Sequence, residues 1–242
     1  MPSNPRYVIL HDYCCFHITW QCHNKDWLLE SPSAKACYIK LIKDYAKRYR
    51  VEIFNFCLMS NHPHLTGSCE NARLLSDFFR VVNSLFARQL NKKMGRRGQV
   101  VMDRFKSPII ETDNNLIKVM LYIDMNPVRA NMVKHPKQFH WSSYKFYATG
   151  KFPAWLTPSP AYLNLGKTPY RRAKAYRKLI EKLLVNPWEK RPYSIIKFIG
   201  GKNWVFLKIK HLREENRKRR LKWLESYKLK FGEPPPYTKS VA

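Results

Sequence analysis

Two hydrophobic periods alternate along the first half of this 242-residue chain, and that alternation limits its fold more than any other feature. Residues 13–22, YCCFHITWQC, and the run VEIFNFCLM at 51–59 are aromatic and β-branched with the period-two pattern of strands. Between them Ser31-Pro32 reads as an N-cap followed by proline at the first helical position. The helix it opens, PSAKACYIKLIKDYAKRYR, places Ala36, Tyr38, Ile39, Leu41, Ile42 and Tyr45 along one broad side. A second helix is predicted over 71–95, where Leu75, Phe78, Phe79, Val82, Leu85, Phe86 and Leu90 form a stripe and Gly95 is the stop. The stretch RRGQVVMDRFKSPIIET predicts a basic loop leading into a short extended segment. A third helix runs from Asp113, read as its N-cap, to Pro127. Strands interleaved with helices require a sheet covered by helices on at least one face.

Past Gly150 the character changes. KFPAWLTPSPAYLNLGKTP is punctuated by proline and reads as a connector. YRRAKAYRKLIEKLL and NWVFLKIKHLREENRKRRLKWLESYKLKF are predicted helices, and GEPPPYTKSVA a disordered tail. The expected division is therefore a unit over 1–150 and a basic, mainly helical extension over 151–242. Residues 151–242 hold 23 Lys and Arg against 6 Glu, a net of +17, while 1–150 hold 22 against 11, a net of +11. A total of +28 destabilises a compact chain by self-repulsion unless a polyanion binds, so nucleic acid is the expected partner class. No apolar run reaches the roughly 18 residues of a membrane span, and MPSNPRYVIL lacks the features of a signal peptide. The expectation is a cytoplasmic protein without a membrane partner. Six cysteines without a C-x-x-C pair read as reduced thiols rather than a zinc ribbon.

The chemistry gathers in two short segments. After the second strand comes SNHPHLTG, in which His62 and His64, if the strand continues, point from one face about 7 Å apart. Imidazoles so placed suit Mn, Zn, Fe, Ni or Cu and tolerate Mg less well, but H-x-H alone is also a common exposed pair. In the third helix Leu116, Val119, Met120 and Ile123 form the apolar side, while Tyr122 and Asn126 fall on the opposite, polar flank one turn apart. Two histidines and an amide oxygen make a three-ligand metal site with positions open to substrate oxygens. A tyrosine beside a metal-bound phosphate becomes a nucleophile where positive charge favours phenolate, and attack on a phosphodiester conserves the bond as a phosphotyrosine. Such a bond allows a strand to be rejoined elsewhere.

FHITWQCHNK, VEIFNFCLMSNHPHLTG, FFRVVNSLFARQLNKKMG, DRFKSPIIET, LYIDMNPVRANMV and WSSY occur in the order seen in HUH-type single-tyrosine transposases, and residues 7 to 147 most resemble their REP-associated branch. The resemblance implies an α+β fold, a ferredoxin-like antiparallel sheet with helices on one face. It implies His62, His64 and Asn126 as metal ligands, Tyr122 as nucleophile, and Mg or Mn as the ion. It further implies cutting and rejoining of single-stranded DNA beside hairpins, by a monomer or homodimer. Pro63 stands where the family has a bulky apolar residue, and since proline cannot donate to a ladder, a bond should be missing there.

Arg96, Arg97, Arg104, Lys106 and Arg129 flank the third helix as candidate phosphate contacts, and Arg217, Lys218, Arg219 and Arg220 as candidates to grip a duplex stem. Tyr144 is a rival nucleophile without a ligand-type residue one turn on. His11, His17 and His23 near the first strand are read as structural or surface histidines. Two other readings stay open: a domesticated protein that holds hairpin DNA or RNA without cutting, and a phosphodiesterase that uses water.

Overall fold

The computed structural model describes residues 14–111, 113–187 and 197–232. His11 and the tail beyond 232 lie outside them. Five strands make one sheet in the order β2-β3-β1-β4-β5, with β1 Cys14–Thr19, β2 Val51–Leu58, β3 Pro63–Cys69, β4 Ile109–Ile110 and β5 Phe198–Ile199. All pairings are antiparallel except β4 with β5, which is parallel and joins the segment after residue 150 to the same sheet.

Helix α1, Pro32–Ala46, starts as its cap predicts: the Ser31 hydroxyl accepts from the Ala34 amide at 3.2 Å. Helix α2, Ala72–Met94, ends at Gly95, whose φ of 61° lets its amide close on the Asn91 and Lys92 carbonyls. Both lie on one face of the sheet, where Phe16, Ile18, Ile53, Phe56 and Leu65 meet Tyr38, Ile42, Phe78, Phe79 and Phe86 in one core. This is the expected helical face. The opposite face is also covered, by α3 (Asp113–Arg129), with α4 (Tyr144–Thr149), α5 (Pro160–Leu163) and α6 (Pro169–Val185) contributing to a second core with it. Helix α7, Lys202–Phe231, follows β5 and leaves most of its length exposed.

A β-bulge adapts β2 to this double packing. Ile53 pairs with Gly67 and Asn55 with Thr66, so Phe54 is an extra residue and turns into the second core. The chains approach closely there: a Cβ at Gly67 would sit 2.0 Å from the Glu52 carbonyl oxygen, so only glycine fits. The outer edge of β2 is closed by residues 141–143, with Leu58 N–H donating to Trp141 and Ser143 N–H to Phe56. Among the described residues the cysteines are all free, and no helix is long and apolar enough to cross a membrane.

Candidate active site

The sheet face toward α3 is where the sequence pattern leaves its polar residues. On β1 and β3, Phe16, Ile18 and Leu65 point to the α1–α2 core, so His17, Thr19, His64 and Thr66 point the other way. His17 and His64 are buried, and His17 Nε2 lies 3.0 Å from His64 Nδ1 with the rings nearly parallel at 19°.

His62 is not in the strand. β3 begins at Pro63, and His62 belongs to the preceding bend, held by Met59 N–H donating to its carbonyl at 3.0 Å. The proline accounts for this. The β1–β3 ladder stops at the pair Thr19–His64, one residue short of Pro63, and Leu58 opposite Pro63 turns its N–H outward to Trp141. The missing donor therefore falls where the ladder ends. The two imidazoles still converge, their centroids 4.8 Å apart and their planes at 83°.

Burial holds the basicity of His62 below the usual imidazole value. It holds that of His64 well below, aided by the neighbouring charges of His62, His17 and Arg129. Both shifts favour the neutral ring, which carries a lone pair. His62 Nδ1–H donates to Asn61 Oδ1 at 2.6 Å, which leaves its Nε2 as a lone-pair donor. In the tautomer where His64 Nδ1–H donates to His17 Nε2, His64 offers Nε2 in the same way.

Tyr122 on α3 faces this pair, 5.9 Å from His64 and 6.3 Å from His17 between ring centroids, edge-on to both. The Arg129 guanidinium lies 4.8 Å from the Tyr122 ring centre. Helix α3 runs past Pro127 to Arg129, two residues beyond the predicted end. Pro127 has no N–H for the Ile123 carbonyl, and the Asn126 side chain substitutes, donating from Nδ2 to Ile123 O at 3.3 Å and Tyr122 O at 3.1 Å. That commitment of Nδ2 leaves Oδ1 as the free end of the amide. Among the described residues no three His, Cys, Asp or Glu converge on one point. His62 and His64 bring two imidazole rings together, a donor type that suits a borderline divalent ion.

A second polar network behind Tyr122 fixes the rotation of α3. Asp124 is fully buried and accepts from Asn55 Nδ2 at 3.0 Å and from the Tyr176 hydroxyl at 2.7 Å. Burial pushes its carboxyl up to about 7, against those two donors. Tyr176 comes from α6, so the segment after residue 150 reaches the helix that carries Tyr122. The rival Tyr144 is only 4 % exposed, and burial pushes its phenol up to about 12.

The other expected residues divide. Arg129 is in the site. Lys106 pairs through its backbone with Thr19, the partner of His64, which places it about 10 Å, two strand spacings, from His64. Arg96, Arg97 and Arg104 lie on the neighbouring segment 95–108, and Arg97 and Arg104 are exposed. Arg217, Lys218, Arg219 and Arg220 sit in the middle of α7, at least 15 residues or about 22 Å along its axis from its start. His17 and Asp124 are contributors that sequence alone left aside. His17 had one signal, its even spacing from Cys15 and Thr19 on a strand whose alternate positions are apolar.

Residues 11–126 match the family model described as "Transposase IS200 like". A solved REP-associated tyrosine transposase bound to a REP hairpin is similar with a TM-score of 0.52 and 18% identity, over 66% of this chain and 93% of that one. The likeness extends to the mixed α+β fold. No curated protein matches.

Proposed function

We propose that the protein, whose residues 11–126 match the model of IS200-like transposases, cuts and rejoins single-stranded DNA beside hairpins through a covalent bond to Tyr122. The observation that carries the reading is the placement of Tyr122 edge-on to His64, whose ring meets His62, and under Arg129, all from one chain. The structural neighbour's hairpin ligand supports hairpin DNA as the substrate class, and the exposed basic residues of α7 suit its duplex stem. In this division residues 1–150 hold the chemistry and 151–242 brace α3 and add the arm.

The Tyr122 oxygen attacks phosphorus in line. A bond forms from Oη to the 5′-phosphate and the bond to the 3′-oxygen breaks, releasing a 3′-hydroxyl. The phenolic proton is lost to solvent and the leaving oxygen takes one up. Attack by a different 3′-hydroxyl on the phosphotyrosine reverses the step and joins a new strand. His62 and His64 would hold Mg or Mn with Asn126, and the bound ion would supply charge neutralisation on the phosphate being cut. His17 keeps His64 in the ligating tautomer, as a partner behind the ligand. Arg129 sets a positive charge beside the ring and the incoming phosphate. Asp124, Asn55 and Tyr176 keep α3 from rotating away.

The test incubates purified protein with hairpin-flanked single strands and Mn. A protein–DNA adduct stable in denaturant is expected in wild type, and is expected to vanish with a chelator, in His62→Ala and in Tyr122→Phe. An adduct that persists in Tyr122→Phe overturns the reading.

A further inference from the structure

We propose that Trp27 is a stacking platform for one unpaired base of the single strand that crosses the site. This rests on the reading of a DNA strand at His62 and adds the contact that grips it. Trp27 is 69 % exposed, the most exposed tryptophan among the described residues. Its exposure is not that of a loose loop. Leu29, two residues on, is fully buried and donates its N–H to the Ser60 carbonyl at 2.9 Å, while Cys22 N–H donates to Asn61 O at 2.8 Å. Between these anchors Asn24 and Lys25 are both held at positive φ, 52° and 62°. Left-handed backbone in a lysine costs energy, and a fold keeps it where the local shape is fixed by its surroundings.

The loop is wired to the site by one side chain. Asn61 Nδ2 donates to the Lys25 carbonyl at 3.1 Å, and Asn61 Oδ1 accepts from His62 Nδ1 at 2.6 Å. Trp27 is two residues from that carbonyl. On its other side the loop is joined to the basic segment, with Met102 N–H donating to Gln21 at 2.9 Å and His23 N–H to Val100 at 2.8 Å. Arg96 is close enough to act on the Cys22 thiol, as is Asp26, the one acid of the loop. His23 Nδ1 and Arg96 Nη1 have no hydrogen-bond partner among the described residues. The anchored loop therefore holds an exposed indole between the basic segment and the bend that carries His62.

That arrangement recognises a base and not a duplex. Bases in a duplex already stack on one another, so an indole face is of use only to an unpaired one, and it takes any of the four. The phosphates on either side fall to Lys25 and the arginines of segment 96–104.

The test measures binding, without cleavage, of the full chain to a single-stranded oligothymidine and to an abasic oligonucleotide of equal length, at salt high enough to weaken the phosphate contacts. Trp27→Ala is expected to weaken the oligothymidine on the order of tenfold, the worth of one stacked base. It is expected to leave the abasic strand unchanged, and Trp27→Tyr to recover most of the loss. Equal loss on both strands, or no loss on the oligothymidine, overturns the proposal. The measurement needs no Tyr122 chemistry, so a wild type that forms no adduct but stacks through Trp27 removes the cutting reading and leaves this one standing.

Discussion

The two faces of one sheet are treated differently by the same strands. Toward α1 and α2, β1 to β3 present Phe16, Ile18, Ile53, Phe56 and Leu65 to an aromatic core. Toward α3 they present His17, Thr19, Asn55, His64 and Thr66, all buried. Apolar side chains stabilise the first face with no directional demand. Buried polar groups on the second need directed partners, and the bonds made orient them: His17 against His64, and Asn55 and Tyr176 on Asp124, while Asn55 Oδ1 and Thr66 Oγ1 have no partner among the described residues. One face is packed by apolar contact alone, and the other carries, beside its own apolar core, the buried polar groups around Tyr122.

The separation is open to direct attack. Tyr122→Phe should abolish adduct formation while shifting unfolding by less than about 0.5 kcal/mol in denaturant titrations, because only a half-buried hydroxyl is removed. Phe79→Ala should do the reverse, costing about 3–5 kcal/mol in the same titration but leaving the adduct yield per folded molecule intact. Tyr176→Phe tests where the faces are joined. Leaving Asp124 short of a donor should cost about 1–3 kcal/mol and slow the adduct as α3 loosens. Replacing Arg217, Lys218, Arg219 and Arg220 with alanine should leave melting unchanged and lower the salt slope of hairpin binding by up to about 3.6, about 0.9 per lost phosphate contact. Pro63→Val should change stability by no more than about 1 kcal/mol and leave the adduct yield intact, because the β1 ladder already ends beside it.

How legible the site was depended on sequence distance. Local signals were readable: the Ser31 cap, the Gly95 stop, the α2 stripe, and Tyr122 with Asn126 on one flank. The pair His62 and His64 was visible, but its geometry comes from a bend and not from strand alternation. What escaped was pairing between distant residues. His17 meets His64 only because of the β1–β3 register, and Asp124 meets Tyr176 only because α6 folds back over α3. The β2 bulge and the two-residue strands β4 and β5 depend on the same long-range packing, since two residues carry no period. Pro127 misled for a local reason. It predicts a helix end, but the neighbouring Asn126 amide supplies the donor that proline lacks.

The most direct measurement maps the covalent bond. The protein is reacted with hairpin-flanked single-stranded DNA and Mn, digested with protease, and the nucleotide-bearing peptide is identified by mass spectrometry. The account predicts a phosphotyrosine link at Tyr122. A link at the buried Tyr144, or a cut strand with no linked peptide, would contradict it.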